Sequence, residues 1–130
     1  MDTPRRRAGL VTVEIALTLP LIVTVILGTV ESCRLVYVMQ SARVAAYECA
    51  RVAILPDATM ENVQDQCDVI LESREILGAD IALSKMPYDL AAGELLTVTV
   101  NVAFDDNALV TPVFCRGRIC SESVVIMKEH

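Results

Sequence analysis

The sequence predicts an α+β protein built from a long N-terminal helix, a second helix and a small antiparallel sheet. Three observations carry this reading. Leu10 to Val30 is an apolar run of twenty-one residues with Glu14 as its only charge. Apolar side chains then recur at alternating spacings of three and four as far as Val52, the seam of a helix. From Leu95 the period changes to two, the signature of strands with one buried face. The 130 residues amount to one domain's worth of protein. They divide into a basic leader over 1–9, a transmembrane helix over 10–30 and an extracytoplasmic α+β domain over 31–130.

The apolar run is long enough to cross a bilayer. At ~1.5 Å per residue it spans roughly 30 Å, the thickness of the hydrocarbon core. Thirteen of its residues are Leu, Ile or Val, which together offer roughly −4 to −8 kcal/mol of insertion energy as an upper bound. An acid at the centre of the span costs about 3 kcal/mol, and Glu14 near one end costs less. Arg5, Arg6 and Arg7 precede the run. The positive-inside bias therefore holds the N-terminus in the cytoplasm and sends the rest outward. A cleaved secretory signal also has a basic start and an apolar middle. This run exceeds the usual ~7 to 15 residues of such a segment, and Gly28 to Arg34 contains no small-x-small cleavage site.

Beyond Val30 the helix is expected to continue to Leu55, where Pro56 stops it. Leu35, Val38, Ala42, Ala45, Cys49 and Val52 form its seam, while Arg34, Arg43, Glu48 and Arg51 occupy other faces. Pro20 removes a hydrogen bond inside the apolar half, which membrane helices tolerate. Ala42, Ala45, Ala46, Ala50 and Ala53 permit close packing, expected against the chain's own domain. A second amphipathic helix is expected from Thr59, its N-cap, to Leu77, with Met60, Val63, Cys67, Ile70, Leu71 and Leu77 on one face and Gly78 at its end. Ile81 to Leu90 is a short segment punctuated by Pro87. Leu95 to Phe104 is a strand with Leu96, Val98, Val100, Val102 and Phe104 facing inward. Asp105, Asp106 and Asn107 form a turn and lack the alternating ligand spacing of a calcium loop. Ala108 to Phe114, with Pro112, suits an edge strand, and Ser121 to Lys128 a last strand.

Five cysteines are present, in a compartment where disulfides persist. Cys115 and Cys120 flank a glycine-containing turn between two expected strands and are placed to bond. Cys49 and Cys67 lie on the seams of two helices that must fold back on each other, and form a second candidate pair; as unbonded residues they are small buried hydrophobes. Cys33 is left over near the membrane surface.

Chemistry of other kinds finds no support. The one histidine, His130, is the last residue, so no Ser-His-Asp or Cys-His arrangement is available. There is no CxxC pair, no zinc spacing and no glycine-rich phosphate loop. No catalytic residue, metal, cofactor or small-molecule substrate is expected. The net charge is −6. It becomes −8 once residues 1–9, with three Arg and one Asp, are removed. An acidic domain without a basic stripe argues against nucleic-acid binding. Arg116 and Arg118 flank the turn glycine and can touch a partner, but two exposed arginines are usually only solvated charge.

One further register stands out. A cut after Gly9 makes Leu10 the new N-terminus and Glu14 the fifth residue of the mature chain. It leaves an α-amine on Leu10, of unperturbed pKa about 7.7 to 8.0, one helical turn from Glu14. An acid beside that ammonium, on its own or a neighbouring chain, and beside the positive end of a helix dipole, is offset there. A lone carboxylate in lipid usually has a partner and marks function. The bland reading is a Glu that reaches the headgroups from the helix end.

This arrangement resembles the type IV prepilin class, with its short basic leader, glycine at the cut, hydrophobic helix and glutamate at mature position five. More narrowly, Arg-Ala-Gly-Leu-Val-Thr-Val-Glu-Ile-Ala-Leu-Thr-Leu-Pro-Leu, from Arg7 to Leu21, is similar to the N-terminus of the TadE-like pseudopilins of the tight-adherence (Flp) pilus system. The ending from Ile119 to Glu129 is similar to that family's strand closing in Met-basic-Glu. The resemblance is good from Arg5 to about Arg51, and Val11 departs from the family's Ala. It implies cleavage between Gly9 and Leu10 by a prepilin peptidase, a role for Glu14 in subunit assembly, and pilins, pseudopilins and the pilus assembly platform as partners. The implied location is the bacterial inner membrane or a surface fibre. Two other readings stand beside it: an unprocessed single-pass anchored binding or scaffold domain, and a soluble protein released by signal peptidase.

Overall fold

The first helix, α1, runs unbroken over Pro4–Ala53. The structure, a computed structural model, describes residues 4–128, and side chains from residue 9 onward. Pro4, with φ already set for a helix, stands in its first turn. Pro20 lies inside the helix without ending it. The hydroxyls of the apolar half turn back on the backbone. Thr18 donates to Glu14 O at 3.0 Å, Thr24 to Pro20 O at 2.8 Å, Thr29 to Val25 O at 2.8 Å and Ser32 to Gly28 O at 2.7 Å. Each hydroxyl so bonded carries no unmet donor into an apolar surrounding.

Downstream of Val30 the same helix becomes the centre of a small domain. Val38, Ala42, Ala45 and Cys49 of the expected seam are fully buried, and Leu35 and Val52 pack at its margins. Ala46, Ala50 and Ala53 are buried as well, so the alanine patch packs on the chain's own domain. The helix ends at Ala53, and Leu55 N–H donates to Val52 O to turn the chain before Pro56.

Helix α2 covers Met60–Ser73. Thr59 caps it as expected, its Oγ1 accepting from Asn62 N–H at 3.2 Å. Val63, Cys67 and Leu71 are buried against α1, and a disulfide joins Cys49 to Cys67 across a Cα–Cα distance of 5.7 Å. The C-terminal end differs from expectation. The helix stops at Ser73, not Leu77, because Glu75 takes a left-handed conformation (φ 55°). Ile76 N–H then reaches Leu71 O at 2.9 Å and Glu75 N–H reaches Glu72 O at 3.0 Å, the paired closure of a Schellman motif. The accompanying apolar contact buries Ile76 and leaves the expected Leu77 exposed.

The sheet has three antiparallel strands in the order β1 (Ala79–Leu83), β2 (Leu95–Ala103) and β3 (Ile119–Met127). Ala79 pairs with Val102 on one side of β2, and Ile119 with Ala103 on the other. Leu96, Val98, Val100, Val102 and Phe104 are fully buried beneath α1, as the alternation predicted. One sheet face thus carries α1, with α2 packed on α1, the layering of an α+β domain. Glu122 of β3 points to the helix side, where Arg43 holds it through Nη2 at 2.9 Å and Nε at 3.0 Å.

Two further expectations are corrected. Ala108 to Phe114 is not a strand. Pro112 has no N–H, and the N–H groups of Val113, Phe114 and Cys115 go to the side chain of Glu31 instead of a neighbouring strand. Cys115 and Cys120 are not joined, and both are buried free thiols. Cys115 opens a tight turn in which Arg118 N–H donates to Cys115 O at 3.3 Å and Gly117 has φ +73°. Cys120 lies inside β3, paired with Val102.

Candidate functional site

Within α1, the segment Gly9–Ala53 includes a stretch long and apolar enough to cross a membrane, and the rest of the chain buries none of that stretch. Leu10, Val13, Leu17, Leu21 and Val25 all project outward. Gly9, Leu10 and Glu14 therefore sit on open helix. A Cβ at Gly9 would meet nothing within 4 Å, so the fold of this chain does not require glycine there. Arg5, Arg6 and Arg7 belong to the first turns of the helix, but their side chains fall outside the described residues, as do Glu129 of the similar ending and His130.

The junction between the apolar half and the domain is built from residues that sequence reasoning passed over. Glu31 is the first charge after the apolar run. Its carboxylate accepts from Val113 N–H at 3.3 Å, Phe114 N–H at 3.0 Å and Cys115 N–H at 2.6 Å. Next to it the Phe114 ring lies 3.4 Å from where a Cβ on Gly28 would stand, so a small residue at 28 lets the loop lie flat on the helix. One turn further, Arg34 Nε donates to Asn107 O at 2.7 Å and Nη2 to Glu75 O at 3.3 Å, with the guanidinium 5.0 Å from the centre of the Tyr37 ring. Tyr37 in turn donates its hydroxyl to Arg74 O at 3.1 Å. Arg34 and Tyr37 thus satisfy carbonyls left open at the end of α2.

Asn107, expected only as a turn residue, is the buried hub of this clasp. Its Nδ2 donates to Leu77 O and Ala103 O, both at 2.9 Å, and its Oδ1 accepts from Leu77 N–H at 2.8 Å. Between clasp and loop lies an apolar groove of about 90 Å3 bordered by Leu27, Val30, Phe104, Leu109 and Val113. No local signal marks these partners. The only hint is an acid immediately after an apolar run, with an arginine three residues on.

Electrostatics at the junction follow from this geometry. Partial desolvation of the Glu31 carboxylate opposes its ionisation, but the three backbone N–H groups outweigh that and set its pKa below the ordinary 4.5. A depressed carboxylate pKa contributes stability above the unfolded value, which is lost as pH falls through the lower folded value. Amide-exchange protection of Val113, Phe114 and Cys115, corrected for intrinsic rates, is therefore expected to be high at neutral pH and to disappear below the usual glutamate range. Glu31→Ala should lower it at neutral pH to the level the native chain shows in acid, and protection that does not change on acidification would refute the anchoring role. Burial raises the pKa of the Cys120 thiol, with Glu122 and Cys115 adding to the rise and Arg118 opposing it. A neutral buried thiol is a poor nucleophile.

An exposed apolar helix continues without a break into the core helix of a small α+β domain, an arrangement that fits a single-pass membrane protein. Residues 9–51 match the family model described as TadE-like protein. The match begins at Gly9 and covers about a third of the chain. It bears out the resemblance of the N-terminal motif to the TadE-like family. No curated protein and no solved structure matches the chain.

Proposed function

We propose that this chain is a TadE-like pseudopilin, or minor pilin, inserted in the bacterial inner membrane through residues 10–30. Its N-terminus faces the cytoplasm, its domain over 31–130 faces outward, and a prepilin peptidase cuts it between Gly9 and Leu10. The mature protein then acts in assembly of a tight-adherence pilus or a related secretion fibre, with other pilins and the assembly platform as partners. The observation that carries this reading is the register of Gly9 and Glu14 on open helix at the start of the family match. A glycine inside a helix costs about 0.5–1 kcal/mol relative to alanine, and no packing among the described residues explains it. Recognition by a peptidase does. Glu14, one turn from the new α-amine, is placed to pair with the terminus of its own or an adjacent subunit.

Intact mass and N-terminal sequencing of the membrane-extracted protein test the proposal. The expected start is Leu10. A start at Met1 would leave only an unprocessed anchored domain, and a start beyond residue 30 would overturn both membrane readings. Given a Leu10 start, Glu14→Ala is expected to leave cleavage intact while lowering recovery of the chain in sheared fibre fractions by at least about tenfold, the effect of ~1.4 kcal/mol per contact.

A further inference from the structure

We infer that the loop over 108–115 is a second membrane contact, a foot that enters the outer leaflet beside α1 and seats the domain on the lipid surface. The inference rests on the reading that α1 crosses a bilayer and is independent of cleavage at Gly9. Four large apolar side chains in this loop point into open space: Leu109 is 70% exposed, Val110 57%, Val113 67% and Phe114 57%. No charged residue occurs from Ala108 to Cys115.

The position of the loop names its occupant. Phe114 packs on Gly28 and Leu109 borders the same groove as Leu27, both inside the apolar run that ends at Val30. The loop thus descends along α1 by roughly 5 Å, about three residues of rise, below the last residue of the run. If lipid surrounds Leu27 and Gly28, the same lipid must meet the loop beside them. The backbone there is prepared for it. Pro112 has no N–H, and those of Val113, Phe114 and Cys115 are taken by Glu31, so four successive peptide nitrogens offer no unmet donor. Just past the apolar stretch, Arg116 and Arg118 are exposed on the turn that Asp105 pins through Gly117 N–H at 2.9 Å. Apolar residues at the acyl boundary followed by arginines at headgroup height match the chemistry of an interfacial anchor.

The chain contains no tryptophan, so one introduced indole reports depth by itself. Full-length Leu109→Trp, Phe114→Trp, Leu21→Trp and Tyr88→Trp variants would be reconstituted in two sets of phosphatidylcholine vesicles, brominated high on the acyl chains to report the loop and near the chain ends to report Leu21→Trp. Tyr88 is exposed in the Pro87–Asp89 turn, at the opposite end of the sheet from the loop, and serves as the dry-lipid control. Blue-shifted emission quenched at least about twofold in Leu109→Trp and Phe114→Trp, with Tyr88→Trp unaffected, is the expected result. Quenching in Leu21→Trp with none in the two loop variants would overturn the foot alone. An unquenched Leu21→Trp would overturn the membrane span and the foot together. Blue-shifted but unquenched loop variants would also overturn it, since another protein chain would then cover the loop.

Discussion

Phe104→Ala is expected to cost about 3–5 kcal/mol of stability, the range for deleting a buried aromatic ring. Phe104 is the largest fully buried side chain in the domain and stands where β2 leaves the sheet. It lies beneath α1 and forms one wall of the groove at the junction. Its neighbours there are held by the Arg34–Asn107 clasp, which limits how far they can collapse into the vacated volume. Small domains have only about 5–15 kcal/mol in total, so the variant should unfold at much lower urea concentration in detergent-solubilised full-length protein. A loss under about 1 kcal/mol would mean that the junction repacks freely, contrary to the rigid arrangement described.

Loss of the Cys49–Cys67 disulfide should cost about 3 kcal/mol, by the chain-entropy relation for a bridge closing a separation of 18 residues. The bond joins α2 to α1, the helix that covers the sheet. Reductant should lower the unfolding midpoint of the native protein and leave that of a Cys49→Ala/Cys67→Ala variant unmoved. Alkylation offers an independent check. Without reductant the folded chain should label at Cys33, and the unfolded chain at Cys33, Cys115 and Cys120. Labelling of all five without reduction, or a reductant-insensitive midpoint, would count against the bond.

The features that could be read in the sequence are those whose cause is local. The Val38–Cys49 seam and the Leu96–Phe104 alternation announce their faces because burial repeats with the period of the element itself. Thr59 announces the start of α2 because its hydroxyl serves an N–H three residues away. What stayed hidden has its cause elsewhere. The sequence points to Gly78 as the end of α2, but a glutamate, Glu75, adopts the left-handed conformation and closes the helix early. The 108–114 segment has the composition of an edge strand, yet a carboxylate 82 to 84 residues away claims its N–H groups. The Cys115–Cys120 expectation failed with that strand. At the N-terminus the relation is reversed. Gly9 and Glu14 are conspicuous as a register in the sequence, and the structure adds that both lie on exposed helix, away from the packed domain.

The continuity of α1 has a geometric consequence for any assembly. The clasp at Arg34 and the anchor at Glu31 key the domain to the helix, so the two cannot turn independently. Each residue of an α-helix advances the azimuth by roughly 100°. If Glu14 meets a neighbouring subunit, as proposed, the residue count between Glu14 and Arg34 sets which side of the domain faces away from that neighbour. A bundle of such helices packed through their apolar halves would display its domains in a fixed compass bearing, with the helix serving as axle and index mark at once.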